Sequence, residues 1–242
     1  MSLSIIIPCR NEEESIEETL NIIISFLKDK IPEFEINVIN DFSSDNTFDK
    51  VKKISGVEQK VKVYNNQNLG LGGAINLGIE NSSYKYTSIV MADLSDSPED
   101  IFKYYSEIDT KKLDAVLGSR FINGSKIENY PKKKLLFNRL FNHFVKIIFW
   151  NKYNDYTNAF KIYRTNVLKE LRPIVSENFN IFLELPLKII SRKYNYSIIA
   201  INWKNRNSGV AKFKMKELGS KYLFTLFYCF LEKILLDKKV NK

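Results

Sequence analysis

The sequence has few of the residues that build disulfide frameworks or histidine-based sites. Cys9 and Cys229 are its only cysteines and lie far apart, so neither a disulfide framework nor a cysteine metal site is expected. His143 is the single histidine, and its place in an apolar helical pattern favours packing or exposure over catalysis. These counts suit a protein of a reducing compartment.

Long apolar runs are also missing. Crossing a bilayer takes about 20 apolar residues, and the best candidate, residues 222–236, is shorter and contains Glu232 and Lys233. We expect no signal peptide, because residues 1–7 lead directly into Pro8. The apolar tail is therefore expected to pack on the domain, to lie on a membrane, or to form a homo-oligomer interface.

Charge is plentiful and unevenly distributed. Residues 1–110 carry 10 basic and 19 acidic side chains, a net charge of −9, whereas residues 111–242 carry 27 and 9, a net charge of +18. The asymmetry predicts that the second half faces an anionic partner, such as a membrane or a phosphorylated substrate, unless it is simply a solvated lysine-rich surface. We expect no nucleic-acid partner, because no pattern of a nucleic-acid-binding fold is evident.

Short apolar runs alternate with helical patterns along the first half of the chain. These runs lie at residues 4–7, 36–39, 61–64, 88–93 and 114–118. Strand followed by helix, repeated four times, predicts an α/β protein with a doubly wound, mostly parallel sheet flanked by helices. The first helix is expected to be capped by Asn11, with acidic residues 12–14 in its first turn.

Two carboxylates directly follow predicted strands. Asp41 comes after the second strand, and Asp93 after the run at residues 88–93. The carboxyl ends of strands form the ligand crevice of such sheets. Ser97 and Pro98 are a better start for the next helix than Asp93 is. These carboxylates therefore predict a site for ribose hydroxyls, base edges or a metal bound to phosphates.

Two loops have features of phosphate binding. The glycine-rich residues 68–78 open a helix, but they lack both the dinucleotide fingerprint and the lysine of a P-loop. The basic, glycine-containing residues 204–212 either close over a phosphate or form an exposed polar turn.

The second half contains a helix that is apolar over most of its circumference. Residues 135–150 have this pattern and follow three consecutive lysines at 132–134. Such a helix is either deeply buried or lies in a membrane interface. The lysines favour the interface, since each one near an anionic surface contributes about 1 kcal/mol.

Six motifs, in order, resemble one family of enzymes. They lie at residues 7–12, 40–47, 68–74, 118–120, 155–161 and 206–212. Over residues 3–213 the chain is similar to the inverting GT-A glycosyltransferases of family two. Within that family it is most similar to the branch of dolichol-phosphate mannosyltransferase-like, polyprenyl-phosphate glycosyltransferases.

The resemblance implies a domain organisation and an activity. A GT-A domain is expected over 1–213, with a nucleotide-binding half at 1–120 and an acceptor-binding half at 121–213, followed by an amphipathic helix at 214–242. The implied reaction moves a sugar from a nucleotide-sugar donor to a polyprenyl phosphate, at the cytoplasmic face of a cell-envelope membrane. Two alternatives stay open: a saccharide acceptor, with Asp155 or Glu184 as general base, and a non-catalytic nucleotide-sugar-binding protein.

The resemblance also assigns residues. Those implied to bind the nucleotide are Pro8, Arg10, Glu12, Asp41, Asn68, Gly72, Ala92 and Asp93. Those implied to act in catalysis are Asp93, Arg120, Glu184, Arg206 and Lys212. Glu184 contacts the acceptor under this interpretation, and is a helix residue with a structural partner under the alternative.

A divalent cation, Mg²⁺ or Mn²⁺, is implied as cofactor, with Asp93 and Ser95 as its ligands. The sequence departs from the family's Asp-x-Asp motif here, because Met91 replaces the first aspartate. A thioether is a poor ligand for magnesium. Either Asp96 compensates, or the diphosphate and water supply most of the ligands.

Overall fold

The apolar runs of the first half form strands that alternate with helices, as their spacing predicts. The computed structural model describes residues 2–93, 95–204 and 215–240. The strands in this part of the chain are β1 (Ser2–Cys9), β2 (Glu33–Asn40), β3 (Val61–Asn65), β4 (Tyr86–Ile89), β5 (Ala115–Ser119), β6 (Ile127–Glu128), β7 (Lys161–Arg164), β8 (Tyr196–Ala200) and β9 (Trp203–Lys204). The helices are α1 (Ile16–Leu27), α2 (Thr47–Ser55), α3 (Leu71–Asn81), α4 (Pro98–Lys111), α5 (Lys132–Phe149), α6 (Thr165–Glu170), α7 (Ile181–Ser191) and α8 (Met215–Val240).

Seven strands form the central sheet in the order β3-β2-β1-β4-β7-β5-β8. Neighbouring strands are parallel except at β7, which is antiparallel to both β4 and β5. Strands β6 and β9 form a separate two-stranded sheet. The expected doubly wound, mostly parallel sheet is confirmed. Because β1, β4 and β5 run the same way, the segments that follow them meet at one edge.

Helices cover both faces of the sheet, and β1 shows how the sequence pattern produces this arrangement. Ile5 and Ile7 point to the core that contains Leu20 of α1, whereas Ile6 points to the opposite core with Ile75 of α3. Successive side chains of a strand alternate between faces. An unbroken apolar run such as Ile5–Ile7 is therefore typical of a strand that is buried on both sides.

Two of the expected element boundaries are wrong: the start of the first helix and the end of the strand expected at residues 88–93. The first helix begins at Ile16 rather than at residues 12–14, and Asn11 has a left-handed φ of 52°. The reason is tertiary, since the backbone N–H of Glu12 donates to Thr47 Oγ1 at 2.8 Å. The strand expected at residues 88–93 ends at Ile89, which leaves residues 90–93 as a loop at the sheet edge.

Helices α5 and α8 pack against each other beside the sheet. The rings of Phe141 and Tyr222 lie 5.7 Å apart, and those of Phe149 and Phe230 lie 6.1 Å apart, so the two helices run in parallel. The expected C-terminal helix is confirmed as α8. The proposed division of the chain at residue 213 falls outside the described residues and stays a prediction.

Close packing of α3 on β1 generates a stability prediction. A Cβ atom added at Gly78 would lie 2.4 Å from Ile6 Cγ2, and the fully buried Ile6 has little room to move. We expect Gly78→Ala to lower the free energy of unfolding by about 1–3 kcal/mol because of overpacking. Urea denaturation measures this. Gly219→Ala is the matched control in α8, where no atom lies within 4 Å of the added Cβ, and it should be neutral or stabilising by up to about 1 kcal/mol. Equal effects of the two variants would contradict the packing argument.

Candidate active site

A cleft of about 540 Å³ lies at the carboxyl edge of the sheet. The end of β1 and the segments that follow β1, β4 and β5 supply its polar wall. The sequence-predicted residues on this wall are Pro8, Glu12, Ala92, Asp93, Ser95 and Arg120. The structure thus brings six predicted residues to one cleft, although they are spread over more than 110 positions of the chain.

The loop after β4 is held in place by α1. Thr19 Oγ1 donates a hydrogen bond of 2.8 Å to the carbonyl oxygen of Ala92, and the backbone N–H of Ser95 donates one of 3.1 Å to Asp93 Oδ1. These bonds fix a tight turn whose carboxylate faces the cleft. Asp93 and Ser95 therefore line the cleft with oxygen atoms of the kind that hard divalent cations bind.

Arg120, at the end of β5, forms a buried ion pair with Asp155. Its Nε donates to Asp155 Oδ2 at 2.8 Å, and its Nη2 donates to Asp155 Oδ1 at 2.7 Å. The rings of Phe121, Tyr130 and Trp203 surround the guanidinium, with centroids 5.3–5.8 Å from Cζ. Burial favours the neutral guanidine, but the Asp155 carboxylate outweighs it and raises the pKa of Arg120. Arg120 is therefore a permanently charged guanidinium at the cleft wall, oriented and largely compensated by Asp155.

Two more ionisable groups lie beside this pair. Burial raises the pKa of Asp96 to about 7, and the nearby Asp93 carboxylate adds to the rise. Burial likewise lowers the pKa of Lys161 to about 7, although the Asp155 carboxylate opposes the fall. Asp96 lines the cleft, whereas Lys161 lies beneath it on β7 and donates to the carbonyl oxygen of Asn158. Lys161 is the last residue of the motif at residues 155–161, but the sequence assigned it no role; pairing of β7 with β4 and β5 brings it here.

The opposite wall of the cleft is apolar. It comes from α5, from α8, and from residues at the start of α7. Its large side chains are Phe137, Phe141, Phe179, Phe182, Tyr222 and Leu223. No sequence motif assigned these residues to the site; the i, i+4 spacing of Phe137 and Phe141 was the available signal. The cleft can therefore hold a ligand with both an anionic and an apolar part.

Four predicted nucleotide-binding residues lie elsewhere than on the cleft wall. Asp41 is buried, and its Oδ1 accepts hydrogen bonds from Asn66 Nδ2 (2.8 Å) and from the backbone N–H of Gly70 (2.9 Å). Gly72 is packed so closely that an added Cβ would lie 1.9 Å from the carbonyl oxygen of Ser176. Asp41 and Gly72 thus shape the glycine-rich loop. The side chains of Arg10 and Asn68 are exposed outside the lining.

Glu184 lies in the interior, away from the cleft lining. Its carboxylate is fully buried, accepts hydrogen bonds from the backbone N–H groups of Val175 and Ser176, and pairs with the equally buried Lys188 at 2.8 Å. These contacts match the structural alternative for this residue. Arg206 and Lys212, the other predicted phosphate-binding residues, lie outside the described part of the chain.

A sheet of this topology, with carboxylates and a buried arginine at its carboxyl edge, defines a GT-A-like α/β fold. Solved structures with the same fold include Staphylococcus aureus TarS 1–349 in complex with UDP-GlcNAc, at a TM-score of 0.65 and 20% identity, covering 96% of this chain and 66% of that one. Another is glucosyl-3-phosphoglycerate synthase from Mycobacterium tuberculosis with Mn²⁺, UDP and phosphoglyceric acid, at a TM-score of 0.71 and 15% identity, covering 95% and 78%.

The family model for glycosyl transferase family 2 matches residues 4–172, and the chain belongs to this family. It is 28% identical to the dolichol-phosphate mannosyltransferase of Pyrococcus furiosus over 90% of this chain, and it spans 61% of the length of that relative. It is 25% identical to the polyprenol monophosphomannose synthase of Mycolicibacterium smegmatis over 86% of this chain and 79% of that protein. The expected family is therefore confirmed.

The contacts of Glu184 generate a prediction that separates its two roles. Glu184→Gln leaves Lys188 charged and buried without its partner, and we expect a loss of about 3–5 kcal/mol in the free energy of unfolding. The double variant Glu184→Gln/Lys188→Met should regain part of this loss, since it buries no charge, although the carbonyl oxygens of Leu171 and Pro173 lose the Lys188 donor. Chemical denaturation of both variants provides the measurement. Unchanged stability of Glu184→Gln, together with lost turnover, would instead support contact with the acceptor.

Proposed function

We propose that this protein transfers a sugar, with inversion, from a nucleotide-sugar donor to a polyprenyl phosphate at a membrane surface. One observation carries the proposal: the cleft joins an acidic and cationic wall to an apolar wall that opens onto exposed apolar helices. Phe137 and Leu223 belong to the cleft lining and are also 58% and 60% exposed. An acceptor with a phosphate head and an apolar chain fits a cleft whose polar wall leads to an apolar wall and then to an exposed apolar surface.

The chemistry needs little more than binding and electrostatics. An oxygen of the acceptor phosphate attacks C1 of the sugar while the bond from C1 to the diphosphate oxygen breaks, and the nucleoside diphosphate leaves with the electron pair. The attacking phosphate is already anionic near neutral pH, so no general base is required. The main obstacle is repulsion between two anions, which fixed positive charge lowers. Arg120, which Asp155 orients, and Lys134 are the cationic side chains of the cleft lining.

The residues present fit a divalent cation. Asp93 and Ser95 offer hard oxygen donors of the kind that Mg²⁺ and Mn²⁺ prefer, and Asp96 Oδ2 has no hydrogen-bond partner among the described residues. No group of three His, Cys, Asp or Glu side chains within those residues is arranged for a metal. Mg²⁺ sites commonly combine one or two carboxylates with substrate phosphates. When bound, the cation would neutralise charge on the donor diphosphate.

An exposed apolar face supports contact with a membrane. It consists of Leu136, Phe137, Leu140, Phe144, Ile147 and Trp150 on and just after α5, and Leu223, Phe224, Phe227, Leu231, Ile234 and Leu235 on α8. Exposed lysines at residues 132–134 border this apolar face. Apolar side chains flanked by lysines are typical of helices that lie in an anionic membrane interface. No described helix has the length and apolarity to cross the bilayer.

The names of the relatives support the lipid acceptor. Both curated relatives described above are named for dolichol or polyprenol substrates. The phosphoglyceric acid in the mycobacterial synthase structure shows that a protein of this fold also holds a water-soluble acceptor. The apolar wall of the cleft favours the lipid for this chain.

A transfer assay tests the activity. Purified protein, vesicles containing a polyprenyl phosphate and a panel of radiolabelled nucleotide sugars should yield label in the organic extract. Vesicles with the unphosphorylated polyprenol are the control and should yield none. Asp93→Asn should lower the rate by about 100-fold or more, as expected for lost transition-state stabilisation. Label on an added saccharide instead would favour the saccharide acceptor, and tight nucleotide-sugar binding without transfer would favour a binding protein.

Vesicle binding tests the apolar face. Leu140→Glu and Phe227→Glu each place a charge where an apolar side chain would enter the interface, and each should weaken binding to phosphatidylglycerol vesicles by about tenfold or more. Sedimentation with vesicles measures this binding. Val57→Glu introduces the same charge just after α2, at a site that is 86% exposed and belongs to neither helix of the apolar face, and it should change binding only slightly. Equal effects at all three positions would indicate a general charge effect and contradict the proposed face.

A further inference from the structure

Asp96 is an unusual carboxylate for an interior position. Its side chain is 94% buried, since only 6% is exposed, yet it lines the cleft. Its Oδ2 has no hydrogen-bond partner among the described residues. Burying a polar oxygen without a partner costs about 1–3 kcal/mol. An oxygen left in this state at a cleft wall points to a partner that a ligand supplies.

The nearby cations do not fill this role in the described structure. The guanidinium of Arg120 is held in two parallel hydrogen bonds by Asp155. The ammonium of Lys161 donates to the carbonyl oxygen of Asn158. No ion pair joins Asp96 to either of them in the described ranges. The missing partner of Asp96 is therefore expected to be positively charged or a hydrogen-bond donor, and to come from the cleft.

The position of Asp93 favours a metal cation over a neutral hydrogen-bond donor as the partner of Asp96. The Asp93 side chain lines the same cleft, three residues before Asp96 in the chain and on the same loop. The half-buried Asp93 and the buried Asp96 place two carboxylates on one loop, and a divalent cation bound between two such groups removes their mutual repulsion. Met91, on the same wall, offers only a thioether, which hard cations bind poorly.

We propose that Asp96 is the second carboxylate ligand of the cation site, with Asp93 as the first, so that the site has shifted along the loop away from Met91. This inference rests on the proposed function, because it assumes a cation bound with the donor diphosphate. Two carboxylates, diphosphate oxygens and water then complete the coordination.

Mn²⁺ binding tests the assignment without using turnover. Electron paramagnetic resonance of free Mn²⁺ reports its affinity for the full chain in the presence of UDP or of GDP. We expect Asp96→Asn to weaken Mn²⁺ binding in the nucleotide complex by about tenfold or more, and to leave nucleotide affinity in EDTA within about twofold. Glu99→Gln is the matched control, because it removes one negative charge three residues away at an exposed site outside the cleft lining. It should leave Mn²⁺ affinity unchanged.

A rescue variant keeps the test decisive. Met91→Asp in the Asp96→Asn background returns a carboxylate to the same wall and should restore at least part of the Mn²⁺ affinity. Thermal denaturation checks folding, and Asp96→Asn should be no less stable than the natural chain because Oδ2 accepts no hydrogen bond from the described residues.

Three results would overturn the inference. The first is unchanged Mn²⁺ affinity in Asp96→Asn, and the second is the absence of Mn²⁺ binding by the natural chain with either nucleotide. The third is loss of nucleotide affinity by Asp96→Asn in EDTA, which would make Asp96 a direct contact to the donor. Sugar transfer to lipid that persists in EDTA would leave the proposed function intact while the inference fails. Mn²⁺ binding that depends on Asp96 but occurs without any sugar transfer would support the inference and contradict the proposed function.

Discussion

The buried ion pair between Arg120 and Asp155 is the constraint on which the cleft depends. Two opposite charges can be removed from water only if their geometry is good and their remaining polar atoms are bonded. Here the pair is bidentate, and the backbone N–H of Arg120 also donates to Asp155 at 2.9 Å. The pair therefore fixes the end of β5 against the segment that precedes β7.

Further bonds extend from this pair through the floor of the cleft. The hydroxyl of Tyr153 donates to the carbonyl oxygen of Gly118 at 2.9 Å, and Ser119 Oγ donates to Asn154 Oδ1 at 2.6 Å. Lys161 enters the same region because β7 is inserted between β4 and β5. One antiparallel strand in a parallel sheet thus brings basic and amide side chains of the second half beneath the acidic edge of the first.

The cleft brings together side chains from the acidic and the basic halves of the chain. The first half supplies Asp93 and Asp96 at the edge of the sheet, and the second half supplies Arg120 and Lys134 to the same lining. The apolar wall and the exposed apolar face come from the second half as well. Structures of the same fold hold chemically different ligands, which is expected when the sheet is shared and the remaining wall varies.

The sequence alone determined the sheet, the family and much of the polar wall. Period-2 and period-3.6 patterns report local burial, and the carboxyl ends of parallel strands meet at one edge. The strand pattern and the family motifs therefore suffice to place Pro8, Asp93 and Arg120 together. The start of α1 was misplaced, because the backbone of Glu12 bonds to Thr47, a partner that lies 35 residues away.

Only the tertiary structure decided what each charged side chain does. Asp41, Asp93, Asp96 and Glu184 are all acidic residues close to the ends of strands or helices, and the motifs assigned Asp41 and Asp93 to one nucleotide site. The structure gives Asp41 and Glu184 backbone N–H partners in the interior and places Asp93 and Asp96 on the cleft. The physical reason is that burial and hydrogen-bond partners are set by segments distant in the chain, whereas sequence patterns record only which face of an element is apolar.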